Sequence, residues 1–427
     1  MMDSQFHRVR GSDRVQQMRR GMSKRRVGRW AAALLATGVL SVMAAGCGGG
    51  DDDEAGGAGT TAAETGGAPE GMQQSIGEGE GRVDLIIWAG YAEDGTTDPK
   101  VDWVTDFEQK TGCQVNSKVG TTSDEMVTLM RTGNYDGVSA SGDATLRLIA
   151  AGDVAPVNTD LLKNYPAVFD GLKLKPHNSV DGQMYGVPHG RGANLLMWRT
   201  DKVTPAPTSW SVVWQADSPY KGKITAYDSP IYIADAALYL MKTQPDLGIT
   251  NPYELDEDQF QAAVDLLKQQ RANIGEYWSD AAKEIQAFQS GSTVVGTSWQ
   301  YQANVLAGEK APVATTLPKE GSTGWSDTWM ISSKAKHPNC MYLWMDHIIS
   351  PEANAKATEY FGEAPSSEAA CALTADKNHC KTFHAADEDY FKQIWYWTTP
   401  VADCGDDRGA VCKDYSEWTQ AWTEIKG

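Results

Sequence analysis

From residue 82 the chain alternates short apolar runs with amphipathic ones, and this alternation limits the folds open to it more than any other feature. "RVDLIIWAG" reads as a buried strand, "DPKVDWVTDFEQKTG" as a helix ending at Gly112, and "CQVNSKVG" as a second strand. "SDEMVTLMRTGN" follows as a helix capped by its own Ser or Asp, "YDGVSAS" as a third strand, and "DATLRLIAAGD" as a helix again. A βαβαβα order needs crossovers, and crossovers lay strands side by side, so the segment predicts an α/β lobe with a largely parallel sheet. "QMYGVPHGRGANLLMWRTDKV" then breaks the rhythm with Pro188, Gly190 and Gly192. A second α/β stretch follows, through "GKITAYDSP", helices around 232–242 and 257–272, "STVVGTSWQYQ" and "VATTLPKEGSTGW". The pattern predicts two lobes joined by crossing strands, with a cleft between. A length of 427 residues agrees, because it exceeds one ordinary core.

The N-terminus reads as an address. Arg19, Arg20, Lys24, Arg25, Arg26 and Arg29 precede the apolar run "WAAALLATGVLSVMAAG" and then Cys47. A basic region, a short apolar core and small residues before a cut form an export signal. The run is shorter than the roughly 20 apolar residues of a spanning helix. "AAGC", residues 44–47, resembles a bacterial lipobox, with Ala44 where Leu is usual, and this resemblance implies that residues 1–46 are removed and Cys47 is diacylated. The body is then expected to sit lipid-anchored on the outer face of the cytoplasmic membrane. Both Met1 and Met22 stand as start candidates, and Arg25-Arg26 leaves twin-arginine export open beside the general route. Residues 47–81, acidic and Gly-rich with almost no large apolar side chain, read as a flexible tether.

Charge and cysteines narrow the class. Residues 1–46 hold nine Lys/Arg and two Asp/Glu, which leaves 29 bases against 54 acids and a formal charge of −25 on the rest. That excludes a nucleic-acid partner and fits both solubility and cationic ligands. Beyond Cys47 stand Cys113, Cys340, Cys371, Cys380, Cys404 and Cys412, an even set that suggests disulfides in an exported chain. Fifteen pairings are open. The short loops "CALTADKNHC" and "CGDDRGAVC" favour Cys371–Cys380 and Cys404–Cys412, leaving Cys113 with Cys340. No zinc spacing, phosphate loop or Ser/His/Asp order is present, so no cofactor or metal is expected and the chain does not read as an enzyme. Cys113 is the one nucleophile worth testing, and pairing with Cys340 would remove its thiol.

"GWSDTWMISS", residues 324–333, brackets a carboxylate with indoles. In extended backbone, residues two apart share a face, so Trp325, Asp327 and Trp329 would line one face, as core or as a site. The chain has 15 tryptophans, and aromatics in excess of core needs are common where small molecules are held.

The order "LIIWAGYAE", "FEQKTGCQV", "YDGVSAS", "YGVPHGRGANLLMWRTD", "TSWSVVWQADSPYKGKI", "GTSWQYQANVLAG", "LPKEGSTGWSDTWMISSKAKHP" and "YLWMDHIISPEANA" resembles the periplasmic polyamine-binding proteins of ABC importers, colinearly over 82–427. The resemblance implies a two-lobed periplasmic binding protein fold of type II that closes on its ligand by hinge motion. The implied division is lobe 1 over 82–189, lobe 2 over 190–320, a return to lobe 1 over 321–362, and a C-terminal segment, 363–427, packing on lobe 2 and the cleft. It implies a monomer that captures a small cationic solute, spermidine or putrescine, and delivers it to a membrane permease.

Site positions follow from the same resemblance. Trp88 and Tyr91 match the aromatic pair after the first strand, Ser141 a serine after the third, Asp228 an acid for an ammonium, and Trp299 a stacking indole. Trp325 and Asp327 match the aromatic and the central carboxylate. Three positions depart from the pattern: Asp143 stands for an aromatic, Ile231 for an acid, and Arg191 for an aromatic. Arg191 in the cleft would read a ligand carboxylate, which keeps an amino acid or a guanidino compound open as the solute. An oligosaccharide receptor and a cysteine-dependent enzyme on this fold are further alternatives. Trp395, Tyr396 and Trp397 are candidates for an extra cleft wall.

Overall fold

The computed structural model describes residues 69–96, 98–120 and 122–427. The export signal, Cys47 and the first part of the expected tether lie outside the described residues. In lobe 1, strand β1 (Arg82–Ile87), helix α1 (Val104–Thr111), β2 (Gln114–Val119), α2 (Ser123–Arg131), β3 (Gly137–Ala140) and α3 (Gly142–Ala150) follow in the alternating order read from the sequence. Gly112 ends α1 in the left-handed region, φ 72°, where a residue without Cβ is favoured. The cap of α2 is Thr122, one residue earlier than expected, because its hydroxyl reaches the Glu125 N–H at 3.1 Å.

The chain continues as β4 (Val187–Pro188), β5 (Gly190–Ala193), β6 (Leu195–Arg199), β7 (Ile224–Tyr227), α4 (Ile233–Thr243), α5 (Glu257–Arg271), β8 (Ile274–Trp278), α6 (Ala281–Ser290), β9 (Val295–Ser298), α7 (Gln300–Gly308) and β10 (Val313–Thr316). It closes with β11 (Ser322–Trp325), β12 (Thr328–Ile331), α8 (Pro338–Ile348), α9 (Pro351–Phe361), β13 (Ala364–Pro365), β14 (Ile394–Tyr396) and α10 (Tyr415–Lys426).

Two five-stranded sheets carry the lobes. The first runs β2-β1-β3-β12-β4, parallel across β2, β1 and β3, with β12 antiparallel to both its neighbours. The second runs β8-β7-β9-β6-β10, parallel across β8, β7 and β9 and antiparallel beyond. Between them lies a smaller sheet, β13-β5-β11-β14. The chain passes from the first sheet to the second through β5 and returns through β11, so each crossing is pinned by hydrogen bonds to the other: Trp325 pairs with Gly192 and Gly324 with Ala193. This is a two-lobed α/β fold with paired hinge strands.

The crossing changes the reading of "GWSDTWMISS". The segment is not one strand: β11 ends at Trp325, Ser326 and Asp327 link, and β12 begins at Thr328 in the other sheet. Alternation requires an unbroken pleat, and the change of sheet breaks it. Trp325 therefore packs with the lobe 2 cluster of Tyr232, Trp397 and Trp418, while Trp329 is wholly buried in the lobe 1 cluster with Phe107 and Trp344.

All three disulfides form as read: Cys113–Cys340, Cys371–Cys380 and Cys404–Cys412. Cys113 thus has no free thiol to act as a nucleophile. Helix α10 is capped by Asp414 and lays Trp418, Trp422 and Ile425 into the lobe 2 core. The described end of the expected tether is not loose. Gln73 donates to Asn339 at 2.8 Å, and Glu80 accepts from the Asn339 and Cys340 N–H groups at 3.0 and 2.9 Å. A carboxylate is favoured at the N-terminus of a helix, here α8, and this contact docks residues 73–80 on lobe 1. Among the described residues no helix is long and apolar enough to cross a membrane.

Candidate functional site

Asp327 occupies the two-residue link where the chain returns to lobe 1. Its Oδ1 accepts from the Ser141 hydroxyl at 2.5 Å and its Oδ2 from the Tyr91 hydroxyl at 2.7 Å. Ser141 directly follows β3 and Tyr91 lies four residues past β1, so both come from the carboxyl ends of strands, the edge where α/β sheets hold ligands. Asp143, one residue into α3, accepts from Ser123 at 3.0 Å and lies close enough to Asp327 for the two charges to oppose each other.

A third carboxylate joins them. Glu363, between α9 and β13, is 0% exposed and lies 3.4 Å from the same Tyr91 hydroxyl. The Trp325 indole donates to it, and His189 Nε2 lies 3.3 Å from its Oε1. Trp329 donates to His189 Nδ1 at 3.1 Å, so Nδ1 is an acceptor and the ring carries its proton on Nε2, facing Glu363. Burial pushes the imidazole down to about 3, so it is neutral, and it stacks on Tyr91 with centroids 4.1 Å apart.

Desolvation dominates the electrostatics. Burial lifts the Asp327 carboxyl to about 6 against the hydrogen bonds from Ser141 and Tyr91, which favour the ionised form. It lifts Asp143 to about 6 as well, with the field of Arg147 in opposition. Glu363 is driven well above the carboxylate range by burial and then by the charge of Asp327. The Tyr91 phenol is raised by burial and by both neighbours, so it remains a donor. Among the described residues, no cation acts on Asp327 or Glu363 as Arg147 acts on Asp143.

Aromatic rings stand beside the acids. Trp325 lies 5.2 Å from Trp299 and 6.2 Å from Trp397, and Trp397 stacks on Tyr227 at 5.4 Å with 11° between planes. Trp299 is steadied by Trp278, 4.9 Å away edge-on, and by a 3.0 Å hydrogen bond from its indole to Asn194. Gly192 lets the Trp325 ring lie across the backbone of β5, where any Cβ would collide with it. The C-terminal segment closes the far side. The Thr399 hydroxyl donates to the Asp143 carbonyl at 2.8 Å, and Arg147 lies 4.1 Å over the Tyr415 ring. Tyr91, Ser141 and Asp327 are buried, at 0%, 3% and 4% exposure.

Of the residues singled out from the sequence, Tyr91, Ser141, Asp143, Trp299, Trp325 and Asp327 come together here. Trp88 is half-buried and packs against both lobe 1 clusters. Its indole N–H is without a partner among the described residues. Two others lie elsewhere. The Arg191 side chain is fully buried, with Nη2 2.6 Å from Glu388 and 2.8 Å from the Ala385 carbonyl and its guanidinium 3.7 Å over Phe391. Asp228 accepts from Lys426 at 2.6 Å and from the Trp422 indole at 3.1 Å, both on α10, so the chain's own ammonium stands where a ligand's was expected. Sequence reasoning missed Glu363, His189 and Tyr227. Glu363 carries no local signal, since an acid after a helix-ending glycine reads as surface.

Residues 102–424 match the family model of the bacterial extracellular solute-binding proteins. The chain is a bacterial extracellular solute-binding protein. This solute-binding protein is 23% identical over 353 residues to the spermidine/putrescine-binding periplasmic protein of Escherichia coli, an alignment covering 80% of this chain and 95% of that one. It is 26% identical over 289 residues to the putrescine/agmatine-binding protein of Pseudomonas aeruginosa, covering 64% and 76%. Among solved structures it is similar to the spermidine/putrescine ABC transporter substrate-binding protein PotD of Streptococcus pneumoniae, with a TM-score of 0.62 at 18% identity, covering 81% of this chain and 97% of that one. At that identity the likeness speaks for the fold.

Proposed function

We propose that this chain is the substrate-binding component of an ABC importer, that it captures a small organic cation of the polyamine class, and that it hands the cation to a membrane permease. The observation that carries the reading is Asp327, desolvated between Tyr91 and Ser141 beside an indole wall, with the Asp143 and Glu363 carboxyls close by. An alkylammonium over an indole gains roughly 0.5–2 kcal/mol, and a charge-assisted hydrogen bond to a carboxylate adds to that. Trp299, Trp325 and Trp397 would cover the methylene chain, and the sum is compatible with a micromolar constant, about −8 kcal/mol. The names of the relatives, which bind spermidine, putrescine or agmatine, support the same class.

The reading of a solute carboxylate by Arg191 is disfavoured, since the guanidinium is committed to Glu388 and Ala385. The pairing of Asp228 with Lys426 leaves Asp143 as the acid for a second amine. Delivery is proposed to occur from the outer face of the membrane, by a monomer tethered through lipid on Cys47. Thermal-shift screening of the purified protein against putrescine, spermidine, agmatine, amino acids and oligosaccharides tests the reading. A ligand at a hundredfold its dissociation constant adds about 2.7 kcal/mol of stability. Shifts with amines alone are expected, and shifts only with sugars or carboxylate-bearing solutes would overturn the assignment.

A further inference from the structure

One phenol hydrogen is offered to two buried carboxylates. The Tyr91 hydroxyl donates to Asp327 at 2.7 Å, which leaves its oxygen 3.4 Å from Glu363 Oε2. With both acids ionised, that second approach sets lone pairs against lone pairs, beside a like charge, out of water. A proton on Glu363 removes the conflict: Glu363 donates to the Tyr91 oxygen, and Tyr91 donates to Asp327. We propose that Glu363 is a second carboxylate of the amine site, that the pair with Asp327 holds one shared proton in the ligand-free protein, and that a primary ammonium or guanidinium head displaces this proton on binding. The proposal rests on the amine-binding reading and deepens it.

The surroundings of Glu363 suit that exchange. Tyr91 comes from the segment after β1, His189 from the link between β4 and β5, Asp327 from the link between β11 and β12, and Trp325 from β11. His379 meets the Glu363 carbonyl at 2.8 Å, and Arg191, nearby in β5, is occupied by Glu388. The groups turned to the carboxyl are thus a neutral imidazole and an indole, both N–H donors without charge, a phenol whose one hydrogen is taken by Asp327, and one acid. The imidazole and the indole can support an ionised Glu363 once a cation is present, and neither neutralises it beforehand. The exchange balances simply: the carboxyl O–H breaks, its proton leaves to solvent, and the incoming cation restores the charge. The head must bring N–H donors to two acids, which a primary ammonium or a guanidinium does and a quaternary ammonium does not.

Calorimetry of the purified protein with putrescine, agmatine and choline, at one pH in two buffers of different ionisation enthalpy, tests this. The proposal predicts release of about one proton per amine bound. Glu363→Gln should lose the buffer dependence and bind amines roughly 10- to 100-fold more weakly. Choline should not bind. Buffer-independent heats in the wild type, or release unchanged in Glu363→Gln, would overturn the proposal. If Glu363→Gln fails to fold, infrared difference spectra of the wild type decide instead: a protonated-carboxyl band should vanish on adding putrescine, and a band that persists counts against the shared proton. If no amine binds, the amine reading itself fails. Ligand-free spectra that show no such band in the wild type mark a separate failure, that of the shared proton.

Discussion

Asp327 and Asp228 are both acids that the sequence marks for an amine, and the fold treats them in opposite ways. Asp327 is enclosed at the hinge with neutral donors and other acids. Asp228 lies at the edge of lobe 2, part-exposed, and is already paired with Lys426. An acid with its own cation gains little from a second one. An acid desolvated without a cation costs stability until a cation arrives, and that cost is what makes it selective.

Removing each acid should give the largest effects. Asp327→Ala should weaken putrescine or spermidine binding by roughly 2–5 kcal/mol, the range for truncating one partner of a buried charge pair. Asp228→Ala should change it by less than about 1 kcal/mol. Titration calorimetry on the two variants separates them, and equal losses would mean that Lys426 yields to the ligand.

Stability without ligand gives the next largest effect. The folded value of Asp327 is about 6, against 3.8 as the ordinary value, so the folded protein holds this proton more tightly than the unfolded chain. The stabilisation is therefore fully present below about pH 4 and is lost as pH rises toward 6. Asp327→Asn, which has no charge to bury, should remove part of that slope. At pH 7.5 it should stabilise the ligand-free protein by on the order of 2 kcal/mol while removing amine binding. Denaturant melts at pH 4.5 and 7.5 measure this, and an unchanged slope would contradict the desolvation argument.

Two further substitutions should have smaller effects. Trp397→Ala removes one wall and should weaken amine binding by about 1 kcal/mol, with little change in its pH dependence. Lys426→Ala breaks a part-exposed pair and should cost about 0–1 kcal/mol of stability, read as a melting-temperature shift, with affinity unchanged.

The alternation of strands and helices was legible because crossover helices and buried strands have distinct periods, and the cysteine pairs because two of them close short loops. Asp327, Tyr91 and Ser141 were legible as a set through family resemblance at strand ends. What stayed hidden depends on contacts made far along the chain. Nothing near Asp228 or Arg191 announces that α10 supplies Lys426 to the one, or that the segment before β14 supplies Glu388 to the other. Glu363 meets Tyr91 only because α9 ends beside it, more than 270 positions away in sequence. The alternation argument for Trp325 and Trp329 failed because the backbone changes sheets between them, an event that side-chain pattern does not encode.

The central claim is that Asp327 binds the charged head of a small organic cation. Titration calorimetry of the wild type and of Asp327→Ala with spermidine, putrescine and an amino-dicarboxylate tests it most directly. Micromolar binding of the amines is expected for the wild type, and binding weaker by at least about 30-fold for the variant. Binding of the dicarboxylate alone, unaffected in Asp327→Ala and lost in Arg191→Ala, would contradict it.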